Sequence, residues 1–210
     1  MANEKPKAST VKLGVHKAAD GEKQLVRFSH LHVLKPHLNT ESKKEEYSVQ
    51  LWIPKTNTAD KAALDAAYAE QLAHYKKADG EPGPEFHNPI KDGDTLKDKK
   101  GKPRPVPGHW VVSAKTLAKK KDGTDNDPPG VVGTDRDDNG ELKPLTSSQV
   151  KSGDYGRVSV NLKFFTEGKG GVGVYLNNLQ KVKTGEALGG RKSAADEFSD
   201  YDDEEDDPLG

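Results

Sequence analysis

Six short segments of this 210-residue chain alternate apolar and polar side chains, and only one segment between them has helical periodicity. Alternation with a period of two is typical of strands that bury one face. The predicted strands cover residues 10–15, 24–34, 47–53, 109–115, 156–165 and 173–183. Because a doubly wound sheet would need several crossover helices, we predict a mainly β fold: an OB-fold-like, five- or six-stranded, partly open barrel with one intervening α-helix.

The one helical pattern lies between the third and fourth predicted strands. Asn57 or Thr58 can cap its start, and we expect it to end near Lys77, before Asp79 and Gly80. Its apolar residues recur at spacings of four, four and three, namely at Leu64, Tyr68, Leu72 and Tyr75. This spacing gives one apolar stripe, which we expect to pack against the sheet.

The composition limits the size of the core. Only 31% of the residues are hydrophobic, and the 21 Gly and 13 Pro predict long polar loops over 80–108 and 118–147. The chain contains no Cys, no apolar run of membrane-spanning length and no hydrophobic signal-peptide region at its start. We therefore expect a soluble intracellular protein without disulfides or membrane association.

The charge is divided between two opposed segments. Residues 196–210 contain nine acids and no base, and removing those nine from the total of 34 leaves 25 acids against 33 bases, a net charge of plus eight. We predict one DNA-binding domain over 1–188, followed by a flexible hinge and a disordered acidic tail over 189–210. A basic body is typical of proteins that bind nucleic acid, although an acidic end can also serve only solubility.

Two short motifs resemble ligand-binding loops, but their sequence contexts predict ordinary turns. The glycines of 168–173 have the spacing of a dinucleotide-binding turn, but they join two strands, which favours a hairpin. Asp135, Asp137 and Asn139 begin a calcium loop whose twelfth position is Thr146 instead of Glu, so a polar turn is favoured.

Three histidines and two aspartates are the remaining candidates for metal chemistry. His30, His32 and His37 lack a fourth ligand, and we interpret them as partly exposed sheet residues. Asp92 and Asp94 can hold magnesium in a nuclease, but a turn with two solvated acids explains them equally well. We predict a protein that is not an enzyme and that has no cofactor, no metal site and no catalytic residues.

Aromatic and basic side chains share the outer face of two predicted strands. Trp52 lies on the polar side of its strand, and the even positions of 158–164 are apolar, which places Arg157, Asn161, Lys163 and Phe165 outside. Aromatic rings can stack on unpaired bases, and the neighbouring cations can bind the phosphates of the same strand. The alternative is that a helix or a loop covers these rings as a second core.

An ordered series of motifs resembles a family of bacteriophage single-stranded DNA-binding proteins. The motifs are segments 27–31, 47–55, 88–94, 155–158, 176–182 and 185–191. The resemblance implies an OB fold, roles in phage DNA replication and recombination in the cytoplasm of the infected bacterial host, and an acidic tail that contacts replication and recombination proteins. It carries no catalytic residue.

We assign the residues of the predicted interface from the strand face on which each side chain lies and from its charge. The candidates for base stacking are Trp52, Phe165, Phe28, Trp110 and Tyr175. The candidates for phosphate binding are Arg27, Lys55, Arg157, Lys163 and Lys181, together with Lys100, Lys102 and Arg104 in one basic loop. The candidates for partner binding are the tail residues Asp202, Asp203, Glu204, Glu205, Asp206, Asp207 and Phe198.

Three alternatives stay open at this point. The first alternative is a magnesium nuclease that uses Asp92 and Asp94. The second is a protein-interaction module whose acidic tail mimics DNA, and the third is a strand-annealing recombination protein. The sequence also leaves open whether RNA competes with DNA and whether the protein forms a homodimer.

Overall fold

Nine strands, one α-helix and one short 3-10 helix form the protein in a computed structural model that describes residues 7–98 and 100–188. The strands are β1 Ser9–Leu13, β2 Val26–Asn39, β3 Lys44–Pro54, β4 Ile90–Asp92, β5 His109–Leu117, β6 Gly130–Arg136, β7 Leu142–Pro144, β8 Tyr155–Phe165 and β9 Gly171–Lys183. The helix α1 spans Thr58–Asp79, and the 3-10 helix spans Gly93–Thr95. The mainly β prediction is confirmed, and all six predicted strands are present.

Five of the strands close into a ring in the order β2–β3–β5–β9–β8 and back to β2. The β5–β9 pair is parallel, and the other four pairs are antiparallel. Two joints are narrow: β2 meets β8 only at Val26 and Arg27, and β5 meets β9 only at Lys115. The ring is therefore an uneven, partly open barrel of the OB type.

Four short strands extend the ring at its margins. β1 pairs with β8, β4 with β5, β6 with β9, and β7 with β6. The last three lie in segments that the sequence predicted to be loops, and that part of the prediction is wrong. Their runs of three to seven residues are too short and too rich in Gly, Pro and Asp for alternation to be detectable, and pairing with long neighbouring strands holds them in the sheet.

The inner faces of the ring strands build the core. β3 contributes Val49, Leu51 and Ile53, and β8 contributes Val158, Val160 and Leu162, each at most 3% exposed. Alternation placed these six residues inside, together with Tyr47 and Phe164, which are only half-buried. Gly156 is required where β2, β8 and β9 meet, because a Cβ there would lie 1.9 Å from the carbonyl oxygen of Gln180.

Helix α1 begins at the Asn57 cap and packs its buried side against β1 and β8. Leu64 and Tyr75 are buried as expected, whereas Tyr68 and Leu72 are only half-buried. The helix also buries Gln71, whose amide nitrogen donates to the Ser9 hydroxyl at 2.7 Å and whose amide oxygen accepts from the Phe164 backbone at 3.1 Å. This side chain bridges α1, β1 and β8, so the helix is fixed by polar contacts as well as by its apolar stripe.

Candidate nucleic-acid interface

The outer face of β3, β5 and β9 forms a groove of 770 Å³. Its residues share a mixture of aromatic, polar and cationic side chains, and they include Gln50, His87, Ser113, Lys115, Phe165 and Tyr175. The strand register explains the assembly, since Gln50 faces Ser113 and Lys115 faces Tyr175. Phe165 and Tyr175 were predicted for base stacking, and the fold brings them together on one side of the barrel.

Tyr175 is an exposed ring of the groove, with 41% of its surface accessible. Phe165 is half-buried and has the His87 ring 6.4 Å from its own. Burial, followed by the charges of Lys91 and Lys115, lowers the pKa of His87. Lys115 forms an ion pair with the buried Glu46 at 3.1 Å, so the floor of the groove also contains an acid.

A row of alternating rings and cations crosses the barrel beside the groove. The row consists of Trp52, Arg27, Tyr155 and Lys183, which face one another in the registers of β2, β3, β8 and β9. The Arg27 guanidinium lies 5.8 Å from the Trp52 ring and 5.3 Å from the Tyr155 ring, and the Lys183 ammonium lies 6.0 Å from Tyr155. Such contacts hold the rings and cations in a fixed order.

Trp52 connects this aromatic–cation row to the groove. Its indole nitrogen donates to the Gln50 amide oxygen at 2.8 Å, and Gln50 itself lines the groove. The indole is half-buried and lies on the polar side of β3, as predicted. The row and the groove are therefore parts of one continuous surface.

Two of the rings predicted to stack have structural positions instead. Phe28 is 0% exposed in the core, where no face of its ring is open to a base. Trp110 is half-buried against the core, with the Lys55 ammonium 4.8 Å and the Lys61 ammonium 4.4 Å from its ring. We correct both assignments: alternation places Phe28 on the inner face of β2, and Trp110, opposite the buried Ile53, lies on the inner face of β5.

Three of the predicted phosphate ligands are engaged with the protein itself. The Lys181 ammonium lies 3.0 Å from the fully buried Asp154 carboxylate and donates to the Gln149 carbonyl at 2.7 Å. Arg157 donates to the Gln180 amide at 2.8 Å, at the opposite end of β8 from Phe165. Arg27 donates to the carbonyl oxygens of Gly153 at 3.3 Å and Glu186 at 3.1 Å, so each of these three cations has a structural contact.

Lys55 lies between the two aspartates considered for magnesium. Its ammonium is 2.6 Å from Asp92 and 2.6 Å from Asp94. These hydrogen bonds hold the pKa of both carboxyls below their usual range and raise the pKa of Lys55. A protein cation thus occupies the position that the nuclease interpretation assigned to a metal, and the pair belongs to a turn.

The remaining predicted cations are exposed. Lys163 lies on the outer face of β8 opposite Gly173, which lines the groove. Lys100, Lys102 and Arg104 lie in a loop whose turn is organised by Asp98, and none of them lines the groove. The tail residues from Asp202 to Asp207 and Phe198 lie outside the described residues.

The turn predictions are confirmed. Residues 166–170 connect β8 to β9 in a hairpin, and the Asp137 carboxylate accepts from the backbone of Asn139 and Glu141 between β6 and β7. His32 and His37 have ring centres 4.2 Å apart, beside a β-bulge at His30. Within residues 7–98 and 100–188, no three acidic or histidine side chains are arranged to hold a metal ion. No helix in the same residues is long and apolar enough to cross a membrane.

Sequence reasoning missed three contributors to this surface. Tyr155 and Lys183 belong to the aromatic–cation row, and His87 belongs to the groove. Tyr155 was detectable, because it has the same parity as the outward residues Arg157 and Lys163 and lies immediately before the predicted strand. His87 lies between strands, and no local pattern indicates where it folds.

A barrel of this kind, with rings and cations on an open outer face, defines a class of proteins that bind extended nucleic-acid strands. The chain belongs to the family of the Enterobacter phage Enc34 single-stranded DNA-binding protein, whose family model matches residues 20–209. The family resemblance found in the sequence is thereby confirmed. No curated protein sequence matches the chain.

Solved structures agree with the fold. The bacteriophage Enc34 protein in complex with single-stranded DNA has a TM-score of 0.62 and 22% identity, over 86% of this chain and 90% of that one. A second Enc34 structure has a TM-score of 0.59 and 20% identity, over 91% and 90%. The bacteriophage T7 single-stranded DNA-binding protein gp2.5 has a TM-score of 0.51 and 16% identity, over 95% and 97%.

Proposed function

We propose that this protein binds single-stranded DNA without sequence preference, along the groove and the adjoining aromatic–cation row. The observation that carries the proposal is the placement of Phe165 and Tyr175 beside Lys115 on one open face, connected to Trp52 through Gln50. Every base presents a ring face, so stacking tolerates any sequence, and each stacked base contributes roughly 1–3 kcal/mol. Duplex DNA hides these faces, which gives a preference for single strands.

The role that fits this activity is protection and organisation of single strands during phage DNA replication and recombination, in the cytoplasm of the infected host. Catalysis is not part of the proposal. Membership of the Enc34 family, together with the structure of the Enc34 protein solved with single-stranded DNA, supports the binding activity on which this role rests.

We also propose that the acidic tail over 189–210 competes with DNA for the basic body and recruits replication and recombination proteins when DNA displaces it. The position of the last described residue supports the competition. The Leu188 backbone donates to the Ser152 carbonyl at 3.0 Å, and the Ser152 hydroxyl accepts from Leu31, next to the groove residue His30. Leu188, which precedes the tail in the sequence, therefore lies near the groove that the proposal assigns to the tail.

Fluorescence anisotropy of a labelled oligo-dT, with unlabelled duplex as competitor, tests the activity. We expect binding that duplex displaces poorly and that weakens with salt at a log-log slope of about minus four for six phosphate contacts. An oligo-U competitor in parallel determines whether RNA is also bound. Absence of binding, or equal competition by duplex, would contradict the proposal.

A further inference from the structure

A pocket of 640 Å³ lies beyond the groove, where the β2–β3 hairpin meets the hairpin that follows β5. Five of the seven residues that line it are lysines, and the full set is Lys43, Lys44, Glu45, Leu117, Lys119, Lys120 and Lys121. We call it the lysine pocket. Five cations held close together repel one another and attract an anion.

Backbone hydrogen bonds fix both hairpins. The Ala118 backbone donates to the Glu45 carbonyl at 2.9 Å, and Asn126 donates to Ala118 at 2.8 Å, which closes the second hairpin. In the first hairpin, Lys43 donates to the Asn39 carbonyl at 2.8 Å. The lysines therefore extend from an ordered support, not from a free loop.

Most of the lysine charge is not neutralised by acids in the part of the chain that the structure describes. Lys119 is 2.9 Å from Asp125, and that pair is exposed. Within residues 7–98 and 100–188, Lys43, Lys44, Lys120 and Lys121 have no carboxylate within ion-pair distance. The pocket thus has a net positive charge available for a ligand.

The pocket continues the line of the groove. The outer face of β3 presents Trp52, Gln50, Ser48, Glu46 and Lys44 in succession, and neighbouring β5 presents Ser113, Lys115 and Leu117 before Lys119. At about 3.4 Å per residue, the distance along β3 from Trp52 to Lys44 is about 27 Å. A stacked strand advances about 3.4 Å per nucleotide, so this length holds about eight nucleotides.

We propose that the lysine pocket binds the phosphodiester backbone of the same DNA strand after it leaves the aromatic groove. This inference rests on the proposed function and adds a second, electrostatic half to the site. Rings hold the bases in the first half, and lysine ammoniums hold phosphates in the second. Leu117 provides an apolar floor for a sugar or a base.

The test replaces Lys44, Lys120 and Lys121 with Gln in the full chain. Lys43 stays, because its backbone has a φ of 55°, and Lys119 stays, because it pairs with Asp125. The control replaces Lys17, Lys23 and Lys143, three exposed lysines that line neither the groove nor the pocket, and it removes the same charge. Affinities for dT oligomers of about 4 and about 12 nucleotides are measured over a range of salt concentrations.

We expect the pocket variant to bind the longer oligomer at least about tenfold more weakly at low salt, with a log-log salt slope reduced by about two. Its affinity for the shorter oligomer should stay within about twofold of the wild type, as should both affinities of the control. This length dependence is what a separate phosphate-binding half requires.

Three results would overturn the inference. Unchanged binding of the longer oligomer would show that DNA does not reach the pocket, and an equal loss in the control variant would show a general charge effect. Tighter binding by the pocket variant would show that the pocket holds an internal competitor such as the acidic tail. If the wild type binds neither oligomer, the proposed function itself fails. If the wild type binds both and the pocket variant binds both with the same affinities, only the inference fails.

Discussion

At the scale of single residues, exposure decides which aromatic side chains can meet a base. Tyr175 is 41% exposed in the groove, whereas Phe28 is fully buried in the core. Phe28 directly follows Arg27 whereas Tyr175 has no cation beside it in the sequence, so a neighbouring charge does not identify the ring that can meet a base. Tyr175 lies outside the barrel wall and belongs to the interface, whereas Phe28 lies inside it and belongs to the core.

Replacing Tyr175 with Ala should therefore weaken single-stranded DNA binding without affecting folding. The loss of one stacked base, roughly 1–3 kcal/mol, corresponds to about a 5- to 150-fold increase in Kd. Val15→Ala is the control, because Val15 is 44% exposed and lies outside the groove. Anisotropy titration measures both variants, and equal affinities for Tyr175→Ala and Val15→Ala would remove Tyr175 from the site.

His32 gives a pH dependence to stability. Burial, followed by the charges of His37 and His30, lowers its pKa from 6.5. The pKa of His32 is lower in the folded protein than in the unfolded chain, so the unfolded chain binds more protons as the pH falls. The contribution of His32 to the free energy of unfolding is therefore fully present above pH 6.5 and decreases below it. The effect is small, since the ring is largely exposed.

We expect the Tm of the wild type to fall between about pH 7.5 and about pH 5.5 by more than that of His32→Gln. Thermal unfolding followed by circular dichroism at both pH values measures the difference. Parallel decreases in the two proteins would assign the pH dependence to other groups.

At the scale of elements, the β8–β9 hairpin carries two lysines with opposite roles. Lys181 pairs with the fully buried Asp154, whereas Lys163 is exposed beside the groove. Removing one partner of a buried pair leaves an uncompensated charge, at a typical cost of about 3–5 kcal/mol. Asp154 keeps hydrogen bonds from the backbones of Lys151 and Gly185, so we expect the lower end of that range.

Lys181→Ala should accordingly lower the free energy of unfolding by about 3 kcal/mol, while Lys163→Ala changes it by less than about 0.5 kcal/mol. Only Lys163→Ala should reduce the log-log salt slope of DNA binding, by about 0.7. Urea unfolding and salt titrations measure the two effects. A stable Lys181→Ala protein with a reduced slope would return Lys181 to the phosphate ligands.

The elements also show what the sequence can and cannot predict. Alternation identified six of the nine strands and placed Val158, Val160 and Leu162 inside, because burial on one face is a local pattern. The same pattern found Trp52 and Phe165 outside. It did not find β6, whose pairing with β9 comes from distant residues, nor the ion pair that engages Lys181. Long-range partners leave no local signal.

At the scale of the whole molecule, the chain divides into a body with a net charge of plus eight and a tail with nine acids. Such segments attract each other, and the attraction is strongest where salt does not screen it. A chain ending at residue 195 should bind oligo-dT more tightly than the full chain at low salt, with the two affinities converging as salt increases. Anisotropy titrations across salt concentrations compare them, and identical affinities at low salt would contradict competition by the tail.

The central claim is that single-stranded DNA lies along the groove and the aromatic–cation row. Photo-cross-linking of oligo-dT that contains a photoreactive thymine analogue, with the modified peptides identified by mass spectrometry, tests the claim directly. We predict cross-links at Tyr175, Phe165, Trp52 and Tyr155. Cross-links confined to the helix α1, or to the loop from Lys100 to Arg104, would contradict it.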